Sequence, residues 1–477
     1  MNTMYFQDLV RGCYGRKIAY TNVDRITSDN VVKVIGSTIG VFNWNKPVIK
    51  YLWHYYKGDQ PILYRHKLTN GDITNKIVEN HAYEIVQFKV GQTYGEPIQF
   101  ISRKDDKAIN KAVDILNDFM ADANKQEKDI KAGEWQSATG TSFKAVQPKN
   151  GDVPFRIVAP TPMNTYVVYN ESTEEPMLVV QELKDEDGNW YKMAFSDTMS
   201  FRIVDSKVVE KKLHTYGEIP IVEFPNNHER ISDIELIIGM LDAINNMQSN
   251  RMDSIQQFVE YWVKFVNCEV DPETFEKMKM NHALTVKSIN KDNKSDVEIM
   301  TQELNQTQCQ VAKEDLWDNT LSILAIPNKQ GNTGGDTQGA VELRNGWDFS
   351  KTRAKLKDPI VKSCEKRLAV AVLNILRLAG KDLKLSVRDF DVQINHSPQD
   401  NMYTKAQTLL LLLQAGIHPL VAIKTVGLWG DSEKTYVLSK PYLDNLYKTI
   451  KDVEEQEKKA QEIVNQLNNQ QNKAVIE

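Results

Sequence analysis

The sequence lacks the long apolar segment that a membrane anchor needs. Runs such as Leu409–Leu413 fall far short of the roughly 20 apolar residues that span a bilayer, and Met1–Gly12 lack the apolar core of a signal peptide. Cysteine is sparse, and its four residues are Cys13, Cys268, Cys309 and Cys364. Because the chain lacks a long apolar segment, we expect a soluble protein with no membrane partner. Because the cysteines form no Cys-x-x-Cys pair and no signal peptide is recognisable, we expect it to be made in a reducing cytoplasm.

The recognisable motifs of catalysis are missing as well. The nearest approach to a phosphate-binding loop is Gly140–Lys144, whose lysine is misplaced, so the start of a strand is the better interpretation. Asp271–Glu276 offers carboxylates, but an aspartate before proline is typical of a helix start. The histidines form no metal-binding motif, and no Gly-x-Ser-x-Gly elbow occurs. We expect a protein that is not an enzyme and has no cofactor or metal.

The chain also lacks an excess of positive charge. Its formal net charge is -5 and its pI is near 6.0, so any contact with nucleic acid has to come from a local basic patch. With 477 residues, 41% of them hydrophobic, the chain is long enough for two to four domains.

The pattern of apolar residues predicts an α+β protein. Helices are predicted for Pro47–Tyr56, His81–Val90 and Asp105 to about Lys131, and a strand for Ile62–His66. Between Gly140 and Pro225 the period changes to two, which predicts an antiparallel sheet. Its predicted strands are Phe155–Val158, Thr165–Val168, Met177–Gln181, Trp190–Ala194 and Phe201–Val204. The Asp185–Gly188 sequence between two of them is a hairpin turn rather than a calcium loop.

Two long helices are predicted in the second half. One runs from Ile231 to about Val266 and would reach roughly 50 Å, and the other covers about Asn305–Ile326. Between them, Ala283–Val286 and Val297–Met300 are strand-like. The two helices indicate either an ordinary helical hairpin or a stem that packs against copies of itself.

Glycines then concentrate between the second long helix and a basic helix. The segment contains Gly331, Gly334, Gly335 and Gly339, and it is followed by Lys351, Arg353, Lys355 and Lys357. Glycine without a Cβ suits a mobile hinge or lip. A basic run is usually only a solvated helix face, but beside such a lip it is suited to phosphates in any register.

The rest of the chain is predicted to be mainly helical. Arg353–Leu378 is predicted as one helix kinked at Pro359, and Leu383–Ile394 as a strand that returns to the earlier sheet. Helices follow from Pro398 through Leu413 and from His418 to Leu428. The polar tail from Lys451 is either a solvated helix or a weak coiled coil between subunits.

Three stretches of the sequence resemble the portal, or head-to-tail connector, proteins of long-tailed phages of Gram-positive hosts. They are Tyr55–Ile62, Glu79–Pro97, and Gly331-Asn-Thr followed by Gly339–Leu343. Here Gly334–Gln338 lengthens the short step that usually precedes the alanine of the family, equivalent to Ala340. The resemblance covers nearly the whole length of the chain.

This resemblance implies a ring of twelve subunits at one capsid vertex, the portal vertex of the virion. Double-stranded DNA would pass through the ring without sequence-specific binding. Further partners would be terminase, the major capsid or scaffolding protein, and a head-completion or adaptor protein. The lining of the DNA channel would include the four glycines and the four basic residues named above.

The resemblance also assigns regions to the chain. They are a wing (1–230, with 353–400 returning to it), stem helices (231–266 and 304–326), a clip (267–303), a tunnel loop region (327–352) and a helical crown with a polar tail (401–477). Two other classes stay open, a structural ring or shell subunit that does not contact DNA and a DNA-processing enzyme.

Overall fold

The protein is described here by a computed structural model. Its described residues are 6–10, 12–66, 73–104, 106–259, 262–266, 273, 276, 296–300, 306–328, 346–396, 402–428, 432 and 435–442. The chain divides into two compact units, Met1–His396 and Ser397–Glu477. None of the described helices combines the length and the apolar character needed to cross a membrane.

The described part of the first unit contains both helices and strands. Its helices are α1 (Phe6–Val10), α2 (Val31–Tyr56), α3 (His81–Tyr94), α4 (Lys107–Asp122), α5 (Lys125–Thr139), α6 (Ile238–Val259), α7 (Gln306–Leu324), α8 (Trp347–Lys355) and α9 (Asp358–Leu378). Its strands are β1 (Ala19–Thr21), β2 (Gln99–Ser102), β3 (Thr141–Pro148), β4 (Phe155–Val158), β5 (Thr165–Asn170), β6 (Pro176–Lys184), β7 (Trp190–Phe195), β8 (Met199–Val204), β9 (Lys207–Leu213), β10 (Ile221–Pro225), β11 (Trp262–Val266), β12 (Asp296–Met300) and β13 (Phe390–Gln393). The α+β class predicted from the sequence is confirmed.

The strands form several separate sheets rather than the single antiparallel sheet predicted. The largest has the order β1-β5-β6-β7-β8-β9, in which β1 pairs with β5 in parallel and the other pairs are antiparallel. A second sheet has the order β10-β3-β4, and β3 confirms the strand predicted to start near Gly140. All five strands predicted between Gly140 and Pro225 are present, and Gly188, with φ of 84°, closes the predicted turn by donating to Asp185.

Three predictions for the first half were wrong in extent or type. Helix α2 begins at Val31 and passes through Pro47, because a buried apolar stripe including Val34 and Phe42 continues upstream. The predicted strand at Ile62–His66 is a 3₁₀ turn, because Pro61 fixes its first residue. The helix predicted for 105–131 is divided into α4 and α5 at Asn124, which has φ of 53°.

The first predicted long helix is shorter than expected. Helix α6 has 22 residues, or about 33 Å, and Trp262–Val266 beyond it is β11, paired antiparallel with β12. The aromatic and β-branched residues of Trp262–Val266 favour a strand over a helix end. The predictions of α7 and of the strand at Val297–Met300 are confirmed, whereas Ala283–Val286 lies outside the described residues.

Pro359 starts a helix instead of kinking one. It occupies the first turn of α9, where its missing N–H costs no hydrogen bond, so α8 and α9 are separate helices. The strand predicted for Leu383–Ile394 is reduced to β13, which pairs with β2 in a sheet of its own.

The second unit contains α10 (Met402–Gln414) and α11 (Pro419–Val426) among its described residues. Both helices were predicted, but α11 ends earlier than expected because Gly427 adopts a left-handed conformation, with φ of 60°. The tail from Lys451 lies outside the described residues.

A buried group of four charges joins three elements of the first unit. It consists of Lys125 and Asp129 of α5, Lys144 of β3 and Glu365 of α9, all with side chains at most 4% exposed. We call it the charge quartet. Lys144 Nζ lies 2.5 Å from Asp129 Oδ1 and also contacts Glu365, whereas Lys125 Nζ lies 2.5 Å from Asp129 Oδ2 and 3.1 Å from Glu365 Oε2. Two positive and two negative charges therefore compensate one another away from water.

Electrostatics favours the charged forms of Asp129 and Lys125 in the quartet. Burial disfavours the carboxylate of Asp129, but Lys125 and Lys144 outweigh burial and hold its pKa below the ordinary value. Burial likewise opposes the charge of Lys125, and Asp129 and Glu365 raise its pKa above the ordinary value. The helix that carries Glu365 is thereby tied to α5 and β3.

We expect Lys144→Met to lower the free energy of unfolding by about 3–5 kcal/mol, because it leaves two buried carboxylates with a single lysine. The matched control is Lys46→Met, which removes an ion pair with Glu182 whose lysine is 41% exposed, and this change should cost about 0–1 kcal/mol. Denaturant unfolding of both variants measures the difference, and equal losses would contradict the role given to the quartet.

Candidate functional site

Helix α8 carries most of the predicted basic residues and is anchored to α3. It begins after Gly346, whose φ is 78°. Ser350, which is buried, accepts a hydrogen bond of 2.7 Å from Nε2 of Gln92 in α3. Because this contact is buried, it fixes which side of α8 faces the body of the protein and which side is exposed.

A second contact holds the start of α9 near the same residue of α3. Nδ1 of His396 donates to the backbone carbonyl of Gln92 over 3.0 Å, and Nε2 of His396 lies 2.7 Å from Oδ1 of Asp358. Gln92 therefore contacts α8 through its side chain. Its backbone carbonyl is linked to the start of α9 through His396.

The basic residues of α8 divide between two of its sides. Lys351 and Lys355 are four residues apart and share one face, where Lys351 is half-buried and Lys355 is exposed. Arg353, also exposed, is offset from each of them by about 200° around the helix. Only the first two thus form a common basic face.

Lys357 lies just beyond α8 and is partly buried. Burial lowers the pKa of its ammonium group to about 8, while Asp233 raises this pKa and Lys89 lowers it. Burial also lowers the pKa of Lys89 in α3. Asp233 raises this pKa, and Arg353 lowers it further. Lys89 Nζ donates to the carbonyl of Leu324, the last residue of α7, over 2.5 Å.

Two lysines, Lys89 and Lys357, therefore lie close enough to Asp233 to interact with its charge. The Asp233 carboxylate also accepts hydrogen bonds from Ser137 and Asn226. Lys89 was missed by sequence reasoning, because a single lysine on a largely apolar helix carries no motif. Lys89 and Lys357 are far apart in the sequence, and only the fold brings them close together. Cations collected in this way favour an approaching anion.

Further along the chain, two basic residues of α9 are held in ion pairs. Lys366 Nζ lies 2.7 Å from Asp391 Oδ1, and Arg367 pairs with Glu218 at 3.0 Å. The candidate glycines Gly331, Gly334, Gly335 and Gly339 lie outside the described residues. Within the described ranges, no cluster of His, Cys, Asp and Glu side chains could hold a metal ion.

Comparison with known families places this geometry in context. Residues 41–423 match the model of the family described as phage portal protein, SPP1 Gp6-like. Because the match covers most of the chain, the chain belongs to this family of structural, non-enzymatic portal proteins. No curated protein sequence matches the chain significantly.

Several solved structures resemble the chain at low sequence identity. The neck of an empty gene transfer agent particle, computed with C6 symmetry, is 11% identical with a TM-score of 0.45, over 73% of this chain and 90% of that one. A chain of the virion of a native gene transfer agent particle is 12% identical with a TM-score of 0.43, over 75% and 88%. The native neck computed with C12 symmetry is 11% identical with a TM-score of 0.41, over 73% and 89%.

We expect Lys357 to titrate near pH 8 in the folded protein, because its ammonium group is desolvated. Asp233→Asn should lower this pKa further, and Lys89→Met should raise it, since each removes one neighbouring charge of known sign. The rate of acetylation at Lys357, followed by mass spectrometry against pH, measures the inflection. An inflection that both variants leave unmoved would show that the three side chains are not close together.

Proposed function

We propose that this chain forms the ring channel at the portal vertex of a phage capsid, through which double-stranded DNA enters, is retained and leaves. The observation that carries this proposal is the match of residues 41–423 to the phage portal family. Within the ring, we assign the wall of the channel to α8 and its neighbours.

The common face of Lys351 and Lys355 would meet the phosphates of the duplex. This assignment is supported by the exposure of Lys355 and by the buried anchor of Ser350, which holds the helix in a fixed orientation. Contact with phosphates carries no sequence information, which suits a channel that must pass every sequence. Arg353 lies on the opposite side of α8 from this face.

Lys357 and Lys89 would act behind this face. A lysine whose pKa lies near 8 is mostly protonated at neutral pH and loses part of its charge at slightly alkaline pH, where an approaching phosphate favours its protonated form. The attraction would therefore grow as a phosphate arrives and fade as it leaves. Weak and local attraction is useful here, because tight phosphate pairing would act as a brake on moving DNA.

The acidic balance of the whole chain supports the same mechanism. A net charge of -5 per subunit repels DNA from most of the ring and leaves attraction to local patches. We propose twelve subunits, with α6 and α7 as stem helices and the residues between them as the clip. No cofactor is needed for this function.

The other partners follow from the family. We propose that terminase, the major capsid or scaffolding protein, and a head-completion or adaptor protein bind the ring, and that the chain is made in the cytoplasm of a Gram-positive host before it enters the virion. These partners are supported by family membership alone.

The glycine segment is proposed as the lip that changes shape as DNA passes. Gly331, Gly334, Gly335 and Gly339 would give it backbone freedom that other residues lack. Proline at Gly335 and Gly339 should therefore reduce the fraction of DNA-filled capsids, and unchanged filling would count against the assignment.

The charge-reversed variant Lys351→Glu/Lys355→Glu tests the assignment of the channel wall. We expect rings of normal mass but fewer DNA-filled capsids or earlier loss of DNA, because the face now repels phosphates. The matched control is Lys207→Glu/Lys211→Glu, two exposed lysines of β9 in the wing sheet. Counting filled particles by electron microscopy gives the answer, and equal filling by wild type and the α8 variant would refute the assignment.

A further inference from the structure

Helix α8 exposes two large apolar side chains to solvent. Phe349 is 58% exposed and Leu356, directly after the helix, is 72% exposed. They are seven residues apart, which places them on the same side of the helix. We call them the α8 apolar pair. Exposed apolar side chains grouped in this way mark an interaction surface.

The opposite side of α8 forms one wall of an apolar cavity. The cavity has a volume of about 370 Å³ and lies between α3, the end of α7 and the start of α8. Its walls include Ile85, Phe88, Trp317, Leu321, Ile326 and Trp347. This size falls in the range of sites that enclose a bound group.

One chain cannot place its own α8 apolar pair in its own cavity. Trp347 lines the cavity, and Phe349 and Leu356 lie about 200° and 180° away from it around the helix axis. The buried contact between Ser350 and Gln92 prevents α8 from rotating to exchange these sides. If an α8 apolar pair fills this cavity, it must therefore come from another copy of the chain.

The charges around the two surfaces are complementary. Glu84 lines the cavity, and Asp318 lies at its rim, where its Oδ1 accepts a hydrogen bond of 3.0 Å from Nδ2 of the lining residue Asn328. The α8 apolar pair is bordered by Arg353, which is exposed and close to Leu356 around the helix. An acidic rim would thus meet a basic border.

We propose that Phe349 and Leu356 of one subunit insert into the apolar cavity of the next subunit, with Arg353 facing the acidic rim. This contact rests on the proposed ring and assigns a surface to it. Because it uses two different surfaces of the same chain, it is head-to-tail, and its repetition closes a ring when the rotation between neighbours fits. It would also place each α8 against its neighbour, so that the basic faces follow one another around the channel.

The first test is Leu356→Asp in the full-length protein. We expect at least about tenfold weaker assembly, because a carboxylate cannot enter an apolar cavity beside Glu84. The control is Leu213→Asp on β9, where leucine is 80% exposed and away from both surfaces, and this variant should assemble as the wild type does. Mass photometry over a range of concentrations measures the ring fraction.

The second test joins the two surfaces covalently. In a chain with serine at Cys13, Cys268 and Cys309, we expect Leu356→Cys combined with Leu321→Cys to give disulfide-linked multimers after oxidation. Each single cysteine variant should give none. Both tests use exposed or cavity-lining side chains, so the far-ultraviolet circular dichroism of the variants should match that of the wild type.

The outcomes separate this inference from the proposed function. If Leu356→Asp forms normal rings and the double cysteine variant gives no cross-linked multimers, the contact is overturned and the ring stays intact. The same result is expected if residues 329–345 of the same chain fill the cavity. A wild-type chain that never forms rings would overturn both the contact and the ring. Lost assembly with Leu356→Asp together with multimers of the double cysteine variant would establish the contact.

Discussion

The structure depends on the compensation of charge inside the charge quartet. Two lysines and two carboxylates are excluded from water, and each would be strongly unfavourable there without the others. The group holds together only when α5, β3 and α9 take one relative position. It therefore fixes the position of α9 relative to α5 and β3. Through α9, it also determines where α8 presents its lysines. An apolar contact could hold the same elements together, but it would tolerate small rotations that paired charges do not.

The packing around α3 extends this constraint to the candidate site. Gly133 of α5 approaches Tyr94 so closely that a Cβ there would lie 2.5 Å from Cδ2 of the tyrosine ring, so the two helices are in direct contact. Two residues earlier on α3, Gln92 contacts α8 through Ser350 and the start of α9 through His396. Helix α8 and the cavity are thus both built against α3.

Sequence reasoning identified the elements whose signal is local. The strands from Phe155 to Val204 follow from a period of two, and the turn at Asp185–Gly188 follows from the chemistry of its residues. It failed where the outcome depends on distant partners. Lys144 was considered only as a misplaced phosphate ligand, because nothing near it in the sequence reveals Glu365 as its partner. Lys89 and the cavity were missed for the same reason, since side chains that are far apart in the sequence create them. Pro359 and Trp262–Val266 were misassigned because a continuous apolar pattern concealed the change of element.

The central claim is that copies of this chain enclose a channel whose narrow wall carries the α8 lysines. An electron-microscopy reconstruction of the purified assembly, viewed along its axis, tests that claim most directly. We predict a closed ring with a central hole of at least the roughly 20 Å that a DNA duplex occupies, with α8 at its inner surface. A single-chain species at every concentration, or a ring with α8 on its outer surface, would contradict this account.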